Sequence, residues 1–138
     1  MNGAVFVDTS AWYAGVDRGD TNHVLASRRF QRLVAEQSTL VTTNHVISET
    51  YTLLRVRFHP TVAHGFLQRL RSSPLTRRVF VLESWEEAAE DLLVQYADQA
   101  FSYVDAISFV SMRRLGLDEA LTFDHHFSVA GFALLGDT

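Results

Sequence analysis

The chain has 138 residues, 47% of them apolar with ten Phe, which predicts a single domain over 1–138 with a sizeable core. Its formal charge is −4, so the whole-molecule field does not attract nucleic acid. Cysteine is absent, which excludes disulfides and thiol catalysis, and all twelve basic residues are arginine, which excludes a phosphate-binding P-loop with its lysine.

No apolar run approaches the ~20 residues that span a bilayer. Met1-Asn2-Gly3 leads into the first apolar stretch without a basic leader, so a cytoplasmic protein is expected. In chain order, Ala4 to Val7 reads as a buried strand, since it is apolar without alternation. It ends on Asp8, with Thr9 or Ser10 available to cap a short helix, Ala11 to Val16. A second helix, His23 to Glu36, carries an apolar stripe through Val24, Leu25, Phe30, Leu33 and Val34. Thr39 to Thr42 is strand 2, and Thr43 or Asn44 caps a helix to about Phe58. Pro60 breaks that helix and starts another, Thr61 to Arg71.

Val79 to Leu82 reads as strand 3, and Ser84-Trp85-Glu86-Glu87 as a capping box opening a helix to Tyr96. Ser102 caps the apolar helix Tyr103 to Leu115, which Gly116 ends. Ala120 to Thr122 is strand 4 and Phe132 to Leu134 strand 5. Short apolar strands alternating with helices predict a parallel α/β sheet.

Four acids sit beside residues that read as buried: Asp8, Glu49, Asp105 and Asp124. Each has a bland reading. Asp105 completes a capping box with Ser102, Glu49 is a solvated helix residue, and Asp124 caps a turn. Asp8 has the weakest alternative, because a charge closing a buried strand needs a partner. No arginine is near Asp8, Glu49 or Asp124 in sequence, whereas a shared divalent ion would accommodate all four. Oxygen-only ligands select hard ions, Mg²⁺ or Mn²⁺, of the kind that hydrolyse phosphodiesters.

The stretches Val5-Phe6-Val7-Asp8-Thr9-Ser10, Ile47-Ser48-Glu49-Thr50, Ser102-Tyr103-Val104-Asp105-Ala106-Ile107 and Leu121-Thr122-Phe123-Asp124-His125-His126-Phe127 together resemble the PIN domain family, and within it the VapC-type toxins. The resemblance implies a three-layer fold with a five-stranded parallel sheet in the order 3-2-1-4-5. It implies an endoribonuclease using Mg²⁺ or Mn²⁺, with Asp8, Glu49, Asp105 and Asp124 as metal-holding catalytic acids and Thr9 or Ser10 orienting the first of them. The partners it implies are RNA and a cognate antitoxin, seated in an apolar groove near Phe30, Tyr51, Leu54 and Phe58. A homodimer through helices near Trp85 and Leu92 is expected as well. The alternatives are a housekeeping RNA-processing nuclease and an inactive RNA-binding module.

Three groups outside the acids remain open. His125 and His126 suggest a metal site, but adjacent side chains diverge and the resemblance does not require them. Arg55, Arg57, Arg69 and Arg71 either line an RNA path or form a solvated surface. Trp12, Tyr13 and Trp85 read as core or partner packing before base stacking.

Overall fold

A computed structural model describes residues 3–135; Met1 and Asn2, read above as lacking a leader, and the last three residues lie outside them. Five strands are present: β1 Ala4–Val7, β2 Thr39–Thr43, β3 Thr76–Val79, β4 Glu119–Leu121 and β5 Ala133–Leu134. The sheet is wholly parallel with the order β3-β2-β1-β4-β5, as the resemblance implies. The helices are α1 Thr9–Val16, α2 His23–Ala35, α3 Asn44–Arg57, α4 Pro60–Ser72, α5 Glu83–Gln95, α6 Tyr103–Leu115 and α7 His126–Val129.

Strand alternation makes the three layers. Phe6 and Val41 point to one face and pack with Ile107, Phe109 and Met112 of α6 and Phe127 of α7. Val5, Val7, Leu40 and Leu121 point to the other and pack with Ala11 and Leu33. A third cluster joins Tyr13 of α1 to Ile47 and Leu54 of α3 and to Ala63, Phe66 and Leu70 of α4. Successive side chains of a strand leave on opposite faces, so one short apolar run serves two helical layers.

Three local expectations are corrected. Strand 3 is Thr76–Val79, not Val79 to Leu82, with Leu40 opposite Thr76 and Thr43 opposite Val79. It is an edge strand, where Arg77 and Arg78 are tolerated and useful against edge-to-edge association. The apolar run after it is a crossing loop: Val81 N–H donates to Asn44 Oδ1 at 3.0 Å, while Phe80 and Leu82 are exposed. Helix α5 accordingly starts at Glu83 with Leu82 at its N-cap and no side-chain cap, so Ser84 opens no capping box. The turn of helix α7 went unpredicted; four residues are too few for a periodic signal.

Candidate active site

The parallel order places β1 between β2 and β4, and Asp8 N–H donates to Leu121 O at 3.1 Å. Asp8 therefore leaves the sheet beside the residues following β4, at the point where strand order reverses. Clefts form there in open α/β sheets. Asp8 is itself the N-cap of α1, accepting from Ser10 N–H, so the expected cap at Thr9 or Ser10 falls one residue earlier. Glu49 comes from α3. Asp105 closes the predicted capping box: Ser102 Oγ accepts from Asp105 N–H at 3.0 Å, and Asp105 Oδ2 accepts from Ser102 N–H at 2.9 Å. Asp124 makes the predicted turn, its Oδ1 accepting from His126 N–H at 2.9 Å.

The bland local roles and the convergence hold together. All four acids line one cleft of about 430 Å³, with Thr9, Ser10, Tyr13, Arg57 and His126 among the other walls. Two of the acids are buried: Asp8 is 5% exposed and Asp105 8%. Burial pushes the Asp8 carboxyl up to about 6, against the opposing pull of hydrogen bonds from Thr122, the Thr9 backbone and Ser10; the charge of Asp105 adds to the rise. Burial also raises Asp105, and the Asp124 charge adds to it. Both shifts have the sign of carboxylates confined together without enough countercharge.

Of the two hydroxyls expected beside Asp8, Ser10 reaches it, and Thr122 joins from the segment after β4. Ser10 Oγ and Thr122 Oγ1 each donate to Asp8 Oδ2 at 3.0 Å. Each hydroxyl is held in turn by a backbone donor, Phe123 N–H on Ser10 at 2.9 Å and Asp124 N–H on Thr122 at 3.0 Å. Thr9 lines the cleft, but its buried Oγ1 has no hydrogen-bond partner among the described residues. Thr122 was missed, although a hydroxyl two residues before the Asp of strand 4 was there to be read.

His126 was set aside and is in the cleft. Its Nδ1 is 3.2 Å from Asp124 Oδ1 and 3.5 Å from Asp105 Oδ2. His125 is 80% exposed at its side chain. His45 approaches Glu86, at 3.4 Å. The arginine group splits: Arg57 lines the cleft with its guanidinium 5.0 Å from the Tyr13 ring, whereas Arg69 lines a different, apolar groove. Trp12 is packing, as expected, between Phe30 and Phe66 with Nε1 donating to Thr42 Oγ1.

The donor set fits a hard divalent cation: carboxylates from four separate segments meet in one open cleft, two of them desolvated, beside a buried imidazole nitrogen without a hydrogen bond.

Residues 5–133 match the PIN domain. The chain belongs to the PIN domain family. This PIN domain is similar to the 23S rRNA-specific endonuclease VapC20 of Mycobacterium tuberculosis, with 38% identity over 128 residues, 93% of this chain and 95% of that protein. It is 28% identical to a VapC ribonuclease of Archaeoglobus fulgidus, over 91% of this chain and 80% of that one. The crystal structure of M. tuberculosis VapC20, a sarcin-ricin loop cleaving toxin, superposes with a TM-score of 0.85 at 37% identity, covering 94% of this PIN domain and 96% of that chain. FitAcB from Neisseria gonorrhoeae shares the fold, with a TM-score of 0.68 at 13% identity over 96% of this chain and 97% of that one.

Proposed function

We propose that this PIN domain is a metal-dependent endoribonuclease and the toxin of a VapBC-type toxin–antitoxin pair. The carrying observation is that Asp8, Glu49, Asp105 and Asp124, from four separate segments, line one cleft at the reversal of strand order. The likeness to VapC ribonucleases supports RNA as substrate and makes 23S rRNA the first target to test.

Asp8, Asp105 and Asp124 would hold Mg²⁺ or Mn²⁺, with Glu49 completing the set directly or through water. When bound, such an ion activates water and neutralises charge developing on the phosphodiester. The chain's own groups do the placing. Ser10 and Thr122 tie down one oxygen of Asp8, and Ser102 ties down one of Asp105. These carboxylates keep their orientation without having to search rotamers. Arg57 stands at the same cleft as a guanidinium able to take a neighbouring RNA phosphate.

The antitoxin would occupy an apolar groove of about 300 Å³ lined by Trp12, Phe30, Phe66, Arg69 and Leu70. Phe30 was expected there; Leu54 is fully buried and Tyr51 packs on His64. A homodimer is part of the proposal, but Leu92 is buried within the chain and is not available to it. Exposed Phe80, Leu82 and Val94 are the nearer apolar candidates. Among the described residues no helix is long and apolar enough to cross a membrane.

Inducible expression of the wild type and of Asp8→Asn, followed by sequencing of RNA ends, tests the reading. New RNA ends in the wild type alone are expected. Equal cleavage by the folded mutant, or full activity of the purified wild type in excess chelator, overturns it.

A further inference from the structure

Among the described residues, the buried Nδ1 of His126 faces two carboxylates and yet makes no hydrogen bond. The backbone N–H of His126 is fixed on Asp124 Oδ1 at the start of α7, and its ring lies edge-on to Phe101 with centroids 5.3 Å apart. These contacts leave the side chain 18% exposed and its Nδ1 out of contact with solvent. Nδ1 nevertheless makes no hydrogen bond, although two carboxylate oxygens lie 3.2 and 3.5 Å away. Both contacts lie at ion-pair distance without being hydrogen bonds. Other histidines of the chain do find partners: His23 Nδ1 is 2.7 Å from Ala14 O, and His59 Nδ1 accepts from Thr61 N–H. A buried polar atom left without a hydrogen bond is destabilising unless something else takes it up.

A cation shared with the neighbouring carboxylates would take it up. Around an octahedral ion with donors at about 2.1 Å, adjacent donors are about 3 Å apart. The spacings from Nδ1 to Asp124 Oδ1 and Asp105 Oδ2 are of that kind. Asp124, His125 and His126 also present ligand atoms within 4.8 Å of one another, but His125 is 80% exposed and its Nδ1 is 4.0 Å from Asp124.

We propose that His126 Nδ1 is a nitrogen ligand of the ion held by Asp105 and Asp124, and that it biases this cleft toward Mn²⁺ over Mg²⁺. The inference rests on the metal-nuclease reading above. Mg²⁺ strongly prefers oxygen, whereas first-row transition ions accept imidazole. A single nitrogen in an otherwise carboxylate set is therefore a selectivity element.

The experiment loads the purified protein with Mn²⁺ alone and reads ¹⁴N modulation by pulsed electron paramagnetic resonance. Mg²⁺ and Mn²⁺ affinities are measured in parallel by calorimetry. The wild type and His125→Leu should show directly coordinated nitrogen. His126→Leu, and the more conservative His126→Asn, should lose it while keeping wild-type circular dichroism. The Mn²⁺/Mg²⁺ affinity ratio should fall about tenfold in both His126 variants. Bound Mn²⁺ without nitrogen coupling in the wild type, or an unchanged ratio in the variants, overturns the ligand assignment while leaving the nuclease reading standing. A wild type that takes up no Mn²⁺ overturns both.

Discussion

Asp8 Oδ2 accepts from two hydroxyls that are each pinned by a backbone N–H, so its orientation is set by β1, α1 and the segment after β4 together. Removing one hydroxyl should loosen the carboxylate without removing it. Thr122→Val, nearly the same shape, should lower RNA cleavage about 10–100-fold, the usual cost of losing a group that orients a metal ligand. Steady-state cleavage of a fluorescent RNA measures it; activity within twofold of wild type means the hydroxyl is idle. Burial raises the Asp8 carboxyl to about 6 from 3.8. In the metal-free protein the native state therefore binds more protons than the unfolded chain between these values. Stability must fall as pH rises through that window, and the deficit is complete above about 6. Asp8→Asn carries no such deficit. In chelator it should melt above the wild type at pH 7.5, by the equivalent of about 1–3 kcal/mol, and the gap should close toward pH 4. A gap that does not change with pH would assign the buried acid a different role.

At the scale of elements, α6 shows how one residue serves fold and site. Ser102 and Asp105 cap it reciprocally, and Gly116 ends it at φ +69°, a left-handed position where a Cβ would be strained. Ser102→Ala removes the acceptor for Asp105 N–H and should cost about 1 kcal/mol by chemical denaturation. Because the same exchange frees the Asp105 segment, cleavage should fall with stability. A variant that loses stability but keeps full activity at a temperature where it is folded would separate the cap from the cleft. Helix α1 is shared differently: Thr9, Ser10 and Tyr13 face the cleft, while Trp12, Gly15 and Val16 line the apolar groove. Phe30→Ser takes away the ring stacked on Trp12 at the groove and leaves the cleft intact. It should weaken antitoxin binding by about 2 kcal/mol in calorimetry and leave free-toxin cleavage unchanged. Undiminished binding would move the antitoxin to another surface.

At the scale of the whole molecule, net charge and local charge have the same sign. The chain carries −4, and its cleft gathers carboxylates with Arg57 on the wall. A divalent ion stabilises the folded protein by binding it in preference to the unfolded chain. Mn²⁺ or Mg²⁺ at millimolar concentration should raise the wild-type melting temperature by several degrees and that of Asp8→Asn by less. Calorimetric scans of both proteins, with and without metal, measure this; equal shifts in the two would place the bound ion away from Asp8.

The sequence by itself determined the alternation of short apolar strands with helices, a cap at Thr43 or Asn44, the cap at Ser102 and the stop at Gly116, and it singled out four acids as candidates. These are local signals: apolar runs, turn chemistry and hydroxyl spacing are written within a few residues of where they act. Position within the sheet is not local. Whether Thr-Arg-Arg-Val or Val-Phe-Val-Leu forms β3 depends on its standing at an edge beside β2, where one side of the backbone is unpaired and arginine is tolerated. Thr122 and His126 became part of the site only when β4 docked beside β1, bringing residues 114 apart into hydrogen-bonding range. Leu54, expected at a groove, is instead fully buried where α3 packs with Tyr13 of α1 and with α4. Periodicity says which face of a helix is apolar; only packing decides what covers it.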